Sequence, residues 1–140
     1  MFSLYGKNGT DVIMIKPIDS CGYGHDGTVY KCELVIVAGC LGVNCSELYV
    51  YEGEIERFAK SLIINNNELI GKGVFSNEDL NFTVTPEHFG HMNVEGVFNQ
   101  NNGDAYMCRF GFQSDITCID ILKRKLSKCI QNSDYFLNDD

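Results

Sequence analysis

The chain has no tryptophan, only two prolines, and no long apolar run. Its longest such run, Leu34–Ala38, falls far short of the ~20 residues a membrane helix needs. Residues 1–16 carry no basic segment followed by an extended apolar stretch, the form of a secretion signal. The expectation is a cytoplasmic protein that does not engage a membrane. No Cys-x-x-Cys pair occurs, so the paired ligand spacing of a structural zinc site is missing. The seven cysteines are an odd number, and Cys32, Cys40, Cys45, Cys108 and Cys118 lie in or beside apolar segments. They read as buried free thiols in a reducing cytosol. Linker composition, low-complexity segments and internal repeats are missing too, so 140 residues make one domain. Its expected extent is residues 1–131, with residues 132–140 forming a frayed, acidic C-terminal tail.

Basic residues are also scarce. Eleven Lys and Arg stand against 19 Asp and Glu, a formal net charge of −8. That balance repels nucleic acid and anionic membrane surfaces and suits basic partners or plain solubility. Lys123, Arg124, Lys125 and Lys128 gather near one predicted helix end, where the helix dipole favours cations, so they need not be a phosphate site.

Sites for chemistry are thin. Cys21 and His25 share a loop, but His88 and His91 lie far along the chain, which leaves any metal set incomplete. Gly22-x-Gly24-x-x-Gly27 matches a phosphate-loop spelling, yet a strand follows it where that motif requires a helix. Glu54/Glu56 and Glu78/Asp79 are neighbouring carboxylates on exposed segments with no sign of a cleft. No cofactor and no enzymatic activity are expected.

What is present is pattern. Tyr106, Cys108, Phe110 and Phe112 alternate with Met107, Arg109, Gly111 and Gln113, the period of a strand with one buried face. Ser114 and Asp115 then offer oxygens to the bare amides of a helix. Along that helix Ile116, Ile119, Leu122, Leu126, Cys129 and Ile130 form an apolar stripe. A second helix is predicted over Glu52–Ile64, with Ile55, Phe58, Ala59, Leu62 and Ile63 on one face and acidic residues in its first turns. Strands are predicted for Met1–Tyr5 and Val12–Ile15, turning at Lys7-Asn8-Gly9-Thr10, and for Val29–Ala38 and Val43–Val50. Others are Glu68–Phe75, Leu80–Val84 and Met92–Phe98. Lys16–Thr28 reads as a glycine-rich loop and Asn99–Asp104 as a hairpin loop. The fold class is α+β: a single, mainly antiparallel, curved sheet of six to eight strands with two helices packed on it.

Three blocks resemble the WapI-type immunity family, small cytosolic immunity proteins of bacterial polymorphic toxins. The first is Cys32–Leu62, with the strand ELVIVAGCLG, the returning strand ELYVYEGEI and a helix ending in Phe58-x-x-x-Leu62. Cys40 stands where the family tends to have an aromatic. The second is Leu80-x-Phe82-x-Val84. The third, Arg109-Phe110-Gly111-Phe112-Gln113-Ser114-Asp115-Ile116-Thr117, is similar to the family's R-F-E-F-E-[ST]-D-Q-T, with Gly111 replacing an acidic residue and Ile116 a glutamine. The resemblance spans roughly residues 29–130 and rests on structural motifs. It implies a non-enzymatic immunity protein that occludes a co-encoded, basic toxin domain. Glu47, Glu52, Glu54 and Glu56 are then the candidate partner-binding residues, because acidic charge speeds association with a basic partner. The alternative is a small-molecule-binding or enzymatic domain whose pocket is lined by Tyr49, Tyr51, Phe82, Phe98, Tyr106 and Phe110.

Overall fold

Alternation and helical stripes become eight strands and three helices among the described residues of the computed structural model, which are residues 1–63, 72–102, 104–132 and 134–137. The order is β1 (Phe2–Tyr5), β2 (Val12–Gly24), β3 (Gly27–Ala38), β4 (Leu41–Tyr51), α1 (Glu52–Ile63), β5 (Gly73–Ser76), β6 (Leu80–Pro86), β7 (His91–Asn102), β8 (Asp104–Asp115), α2 (Ile116–Gln131) and α3 (Asp134–Leu137). A short 3-10 turn, His88–Gly90, joins β6 to β7.

The class is α+β with antiparallel pairing throughout, but the expected single sheet is two. One sheet has the order β1-β2-β3-β4 and the other β5-β6-β7-β8. Each is a meander, and α1 interrupts the chain between them. The edges β1 and β8 touch without forming a ladder. Lys7 N–H donates to Gln113 O at 2.9 Å, and Ser114 Oγ donates to Tyr5 O at 2.6 Å. Ser114, expected to help cap the following helix, is spent on this seam. Asp115 alone caps α2, accepting from the Cys118 amide at 2.9 Å.

The predicted loop Lys16–Thr28 is instead the far half of a long hairpin. β2 pairs with β3 from Val12↔Val37 to Gly24↔Gly27, with irregularities between Pro17 and Asp19 and between Ser20 and Gly22. Proline lacks a ladder donor, so an irregularity beside Pro17 is where the strand accommodates it. Beyond Pro17 the residues are exposed on both faces, which removes the hydrophobic signal of a strand. The predicted loop Asn99–Asp104 is likewise mostly strand, with β7 and β8 paired as far as Asn102↔Asp104. The first half of the expected strand Glu68–Phe75 lies outside the described residues, and β5 begins at Gly73.

One core joins both sheets to the helices. Phe2, Phe58, Phe75, Phe82 and Phe136 form its aromatic centre, with Phe75 stacked on Phe82 at 5.2 Å and Phe58 edge-on to both. Each such ring stabilises the fold by about 1.5–3 kcal/mol through burial, and contacts of this geometry add a little more. Ile55, Phe58, Ala59 and Leu62 of α1 are buried as their spacing implies. On α2, Ile119, Leu122, Leu126 and Cys129 are buried, but Ile116 and Ile130 at the stripe's ends are exposed.

Part of the expected tail, Asp134–Leu137, is helical. Within the segment expected to fray, Phe136 is 1% exposed and its ring lies 4.9 Å from Tyr30. The N-terminal ammonium donates to Phe136 O at 2.8 Å, so α3 is seated on the core. No helix among the described residues is long and apolar enough to cross a membrane.

Candidate functional site

The four glutamates of the expected acidic surface separate once folded. Glu47 is exposed on β4, where Glu47, Tyr49 and Tyr51 point to the outer face and Leu48 and Val50 point to the core. Glu52 is half-buried at the start of α1. Glu56 is paired with Lys60 at 2.8 Å, one helical turn on. Glu54 turns inward and is 8% exposed, so it cannot serve as a surface charge. Its position explains this. Glu54 is the third helical residue after Tyr51, and its carboxylate reaches back to accept the Tyr51 amide at 2.8 Å, the capping-box arrangement.

A second partner completes the burial of Glu54. Asn77, in the turn between β5 and β6, donates its side-chain amide to Glu54 Oε1 at 2.9 Å, to Oε2 at 3.1 Å and to Tyr49 O at 2.9 Å. Its own carbonyl oxygen accepts the Asp79 amide at 3.0 Å, which fixes the turn as an Asx turn. Three segments far apart in sequence are thereby tied together: the end of β4, the start of α1 and the β5–β6 turn. Burial pushes the Glu54 carboxyl above its ordinary value, against the opposing pull of the Tyr51 amide and Asn77.

A latch closes the other side of the α1 start. Asp26, at the tip of the β2–β3 hairpin, accepts both Arg57 guanidinium nitrogens at 2.9 and 2.6 Å. The Asp26 backbone oxygen also accepts the Gly53 amide at 2.9 Å. The Arg57 fork holds the Asp26 carboxyl below its usual value. A Cβ at Gly53 would stand 1.9 Å from Asp26 Oδ1, so only glycine permits the latch.

This scaffold frames a small cleft of about 230 Å3, lined by Tyr49, Tyr51, Glu54, Asn77, Glu78 and Asp79, with Val29 behind them. Tyr49 and Tyr51 are 44% and 37% exposed, so both rings are available to a visitor. Burial, reinforced by the neighbouring Glu78 charge, raises the Asp79 carboxyl above its ordinary value. A cation placed in the cleft would offset both by favouring the ionised carboxylates. Tyrosine faces and carboxylates together suit a guanidinium or ammonium group, through cation–π contact and charge-assisted hydrogen bonds. The volume is below the several hundred Å3 that enclose a small-molecule ligand, and it is of side-chain size.

Glu78 and Asp79 lacked any sign of a cleft in the sequence, because Val29, Tyr49, Tyr51 and Glu54, which complete it, lie on β3, β4 and α1, far upstream. Among the described residues the aromatics of the expected pocket do not share one cavity: Tyr49 and Tyr51 line this cleft, and Phe82 and Phe110 border a separate trough. Phe82, Phe98 and Phe110 are core residues, and only Tyr49 and Tyr51 of that set reach the cleft. The side chain of Tyr106 lies outside the described residues. Cys21 and His25 belong to the β2–β3 hairpin, whereas His88 and His91 belong to the β6–β7 hairpin of the other sheet. The chain matches no protein-family model and no curated protein.

Proposed function

We propose that this protein binds and neutralises a co-encoded, basic toxin domain, in the manner of the immunity proteins its sequence resembles, by docking a basic side chain in the Tyr49–Tyr51–Asp79 cleft. The observation that carries this reading is the cleft itself: two half-exposed tyrosines beside Glu78 and Asp79, on a chain of net charge −8. Tyrosine is a preferred anchor residue at protein interfaces, and arginine is its frequent counterpart. Glu47 on the same outer face of β4, together with Glu52, supplies the acidic surround. These charges act mainly on association rate, by steering a basic partner to the cleft. No chemical step is required of the protein, since occlusion of the toxin suffices.

The test is co-expression with the C-terminal domain encoded by the neighbouring upstream gene. Cells are expected to survive with the wild-type protein and to die without it. Equal death in both cases overturns the proposal. Survival undiminished by Tyr49→Ala combined with Asp79→Asn keeps the immunity function and removes the cleft from it.

A further inference from the structure

Phe89, at the tip of the β6–β7 hairpin, is 98% exposed. Its backbone is strained as well. Phe89 has φ 62° and ψ 33°, in the left-handed region, and among the described residues it is the one non-glycine residue with positive φ. Gly90 follows with φ 75°, and the His91 amide donates back to the carbonyl of His88. Two left-handed residues in succession inside that bond make a type I′ turn, whose first central position suits Asn, Asp or Gly. A bulky side chain there is an outlier. Neither burial nor turn geometry therefore accounts for phenylalanine at this position, since asparagine would serve both better.

We propose that Phe89 is an anchor that enters an apolar pocket on the basic toxin domain, a role that rests on the immunity function proposed above. Backbone strain persists at functional positions, and here it holds an aromatic ring clear of the molecule. Aromatic anchors seated in a partner's pocket carry much of the energy of an interface, and a short turn presents the ring at little ordering cost. The surroundings select the occupant. Between Lys72 and Arg109 the chain has no Lys or Arg but carries Glu78, Asp79, Glu87, Glu95 and Asp104. Glu87 is exposed just before the turn, and His91 just after it is paired across the ladder with Asp115. An acidic tip is repelled by an anionic lipid surface and by a second copy of itself, and is attracted to a basic protein surface. The cleft borders the start of β6 and Phe89 follows its end, so the seven residues of that strand, roughly 20–25 Å, separate them. One toxin domain can span that distance within an interface of standard size.

Calorimetric titration of the full chain with the catalytically inactive C-terminal domain encoded by the neighbouring upstream gene tests this. Phe89→Asn is expected to weaken the complex by about tenfold or more. The same variant is expected to raise the melting temperature, because asparagine tolerates the left-handed turn, whereas a merely structural role for Phe89 would lower it. Since the chain has no tryptophan, Phe89→Trp places a single reporter at the tip. Its emission is expected to shift to the blue when the toxin domain is added, beyond any shift in the same mixture made with wild type. Unchanged affinity of Phe89→Asn, in a complex that wild type does form, overturns the anchor and leaves the immunity function standing. No complex with wild type overturns both. A blue shift of Phe89→Trp with phosphatidylglycerol vesicles alone, or on concentrating the protein alone, gives the ring another occupant and overturns the proposal.

Discussion

Glu54 and Asn77 meet through a 2.9 Å hydrogen bond, each less than a tenth exposed. The pair fastens the first turn of α1 to the β5–β6 turn, and the Asn77 amide also satisfies the carbonyl of Tyr49. The cleft depends on this fastening, because Tyr49, Tyr51, Glu78 and Asp79 all flank it.

Asn77→Ala is therefore expected to cost about 1–3 kcal/mol, the penalty of leaving buried polar groups unsatisfied. Urea unfolding measures this. A loss within a few tenths of a kcal/mol would show that the pair does not hold the turn.

The same carboxylate sets a pH dependence of definite sign. Burial raises the Glu54 carboxyl above the ordinary 4.5, so its contribution to stability is present in full below that value. It is lost as pH rises through the raised value, because ionisation is easier in the unfolded chain. The stability of wild type minus that of Glu54→Gln should fall over that window in a pH series of urea titrations. A difference that rises over the window contradicts the assignment.

Asp115 has the opposite sign. Bonding to the Cys118 amide lowers its carboxyl below 3.8, so the cap contributes above that value and is lost as pH falls through the lowered one. Asp115→Ala is expected to cost about 1 kcal/mol at neutral pH. The deficit should shrink under acid conditions, and a deficit that grows there would refute the cap.

Gly53→Ala separates local from tertiary effects. Within a helix, alanine is better than glycine by about 1 kcal/mol. Here the new Cβ collides with Asp26 Oδ1, so the substitution is expected to destabilise by about 1–3 kcal/mol. In Asp26→Gly the collision partner is gone, and adding Gly53→Ala to that background should be neutral or stabilising. Thermal melts of the four proteins in this cycle decide it.

The elements that bury one face were legible in the sequence. The alternation from Met107 to Gln113 gave its strand, the stripe Ile55–Leu62 its helix, and Asp115 its cap, because each pattern reports a local periodicity that packing preserved. The outer half of β2 was not legible: past Pro17 it pairs with β3 but buries no apolar side chain. Nor was the split into two sheets, since no short-range signal tells whether β1 and β8 form a ladder or meet only through the Lys7–Gln113 and Tyr5–Ser114 hydrogen bonds. Phe136 was hidden in a polar tail. Glu54 looked like one more helix-start acid, and its inward turn depends on Asn77, 23 residues away. The cleft shares that fate, being assembled from Val29, the end of β4 and the β5–β6 turn.

The most direct test of the account is a calorimetric titration of the purified protein with the C-terminal domain encoded by the neighbouring upstream gene, made catalytically inactive. The account predicts a tight one-to-one complex that weakens by more than tenfold when Tyr49→Ala and Asp79→Asn are combined, with Glu47→Gln and Glu52→Gln slowing association. The absence of any heat of binding at micromolar concentrations of both proteins would contradict it.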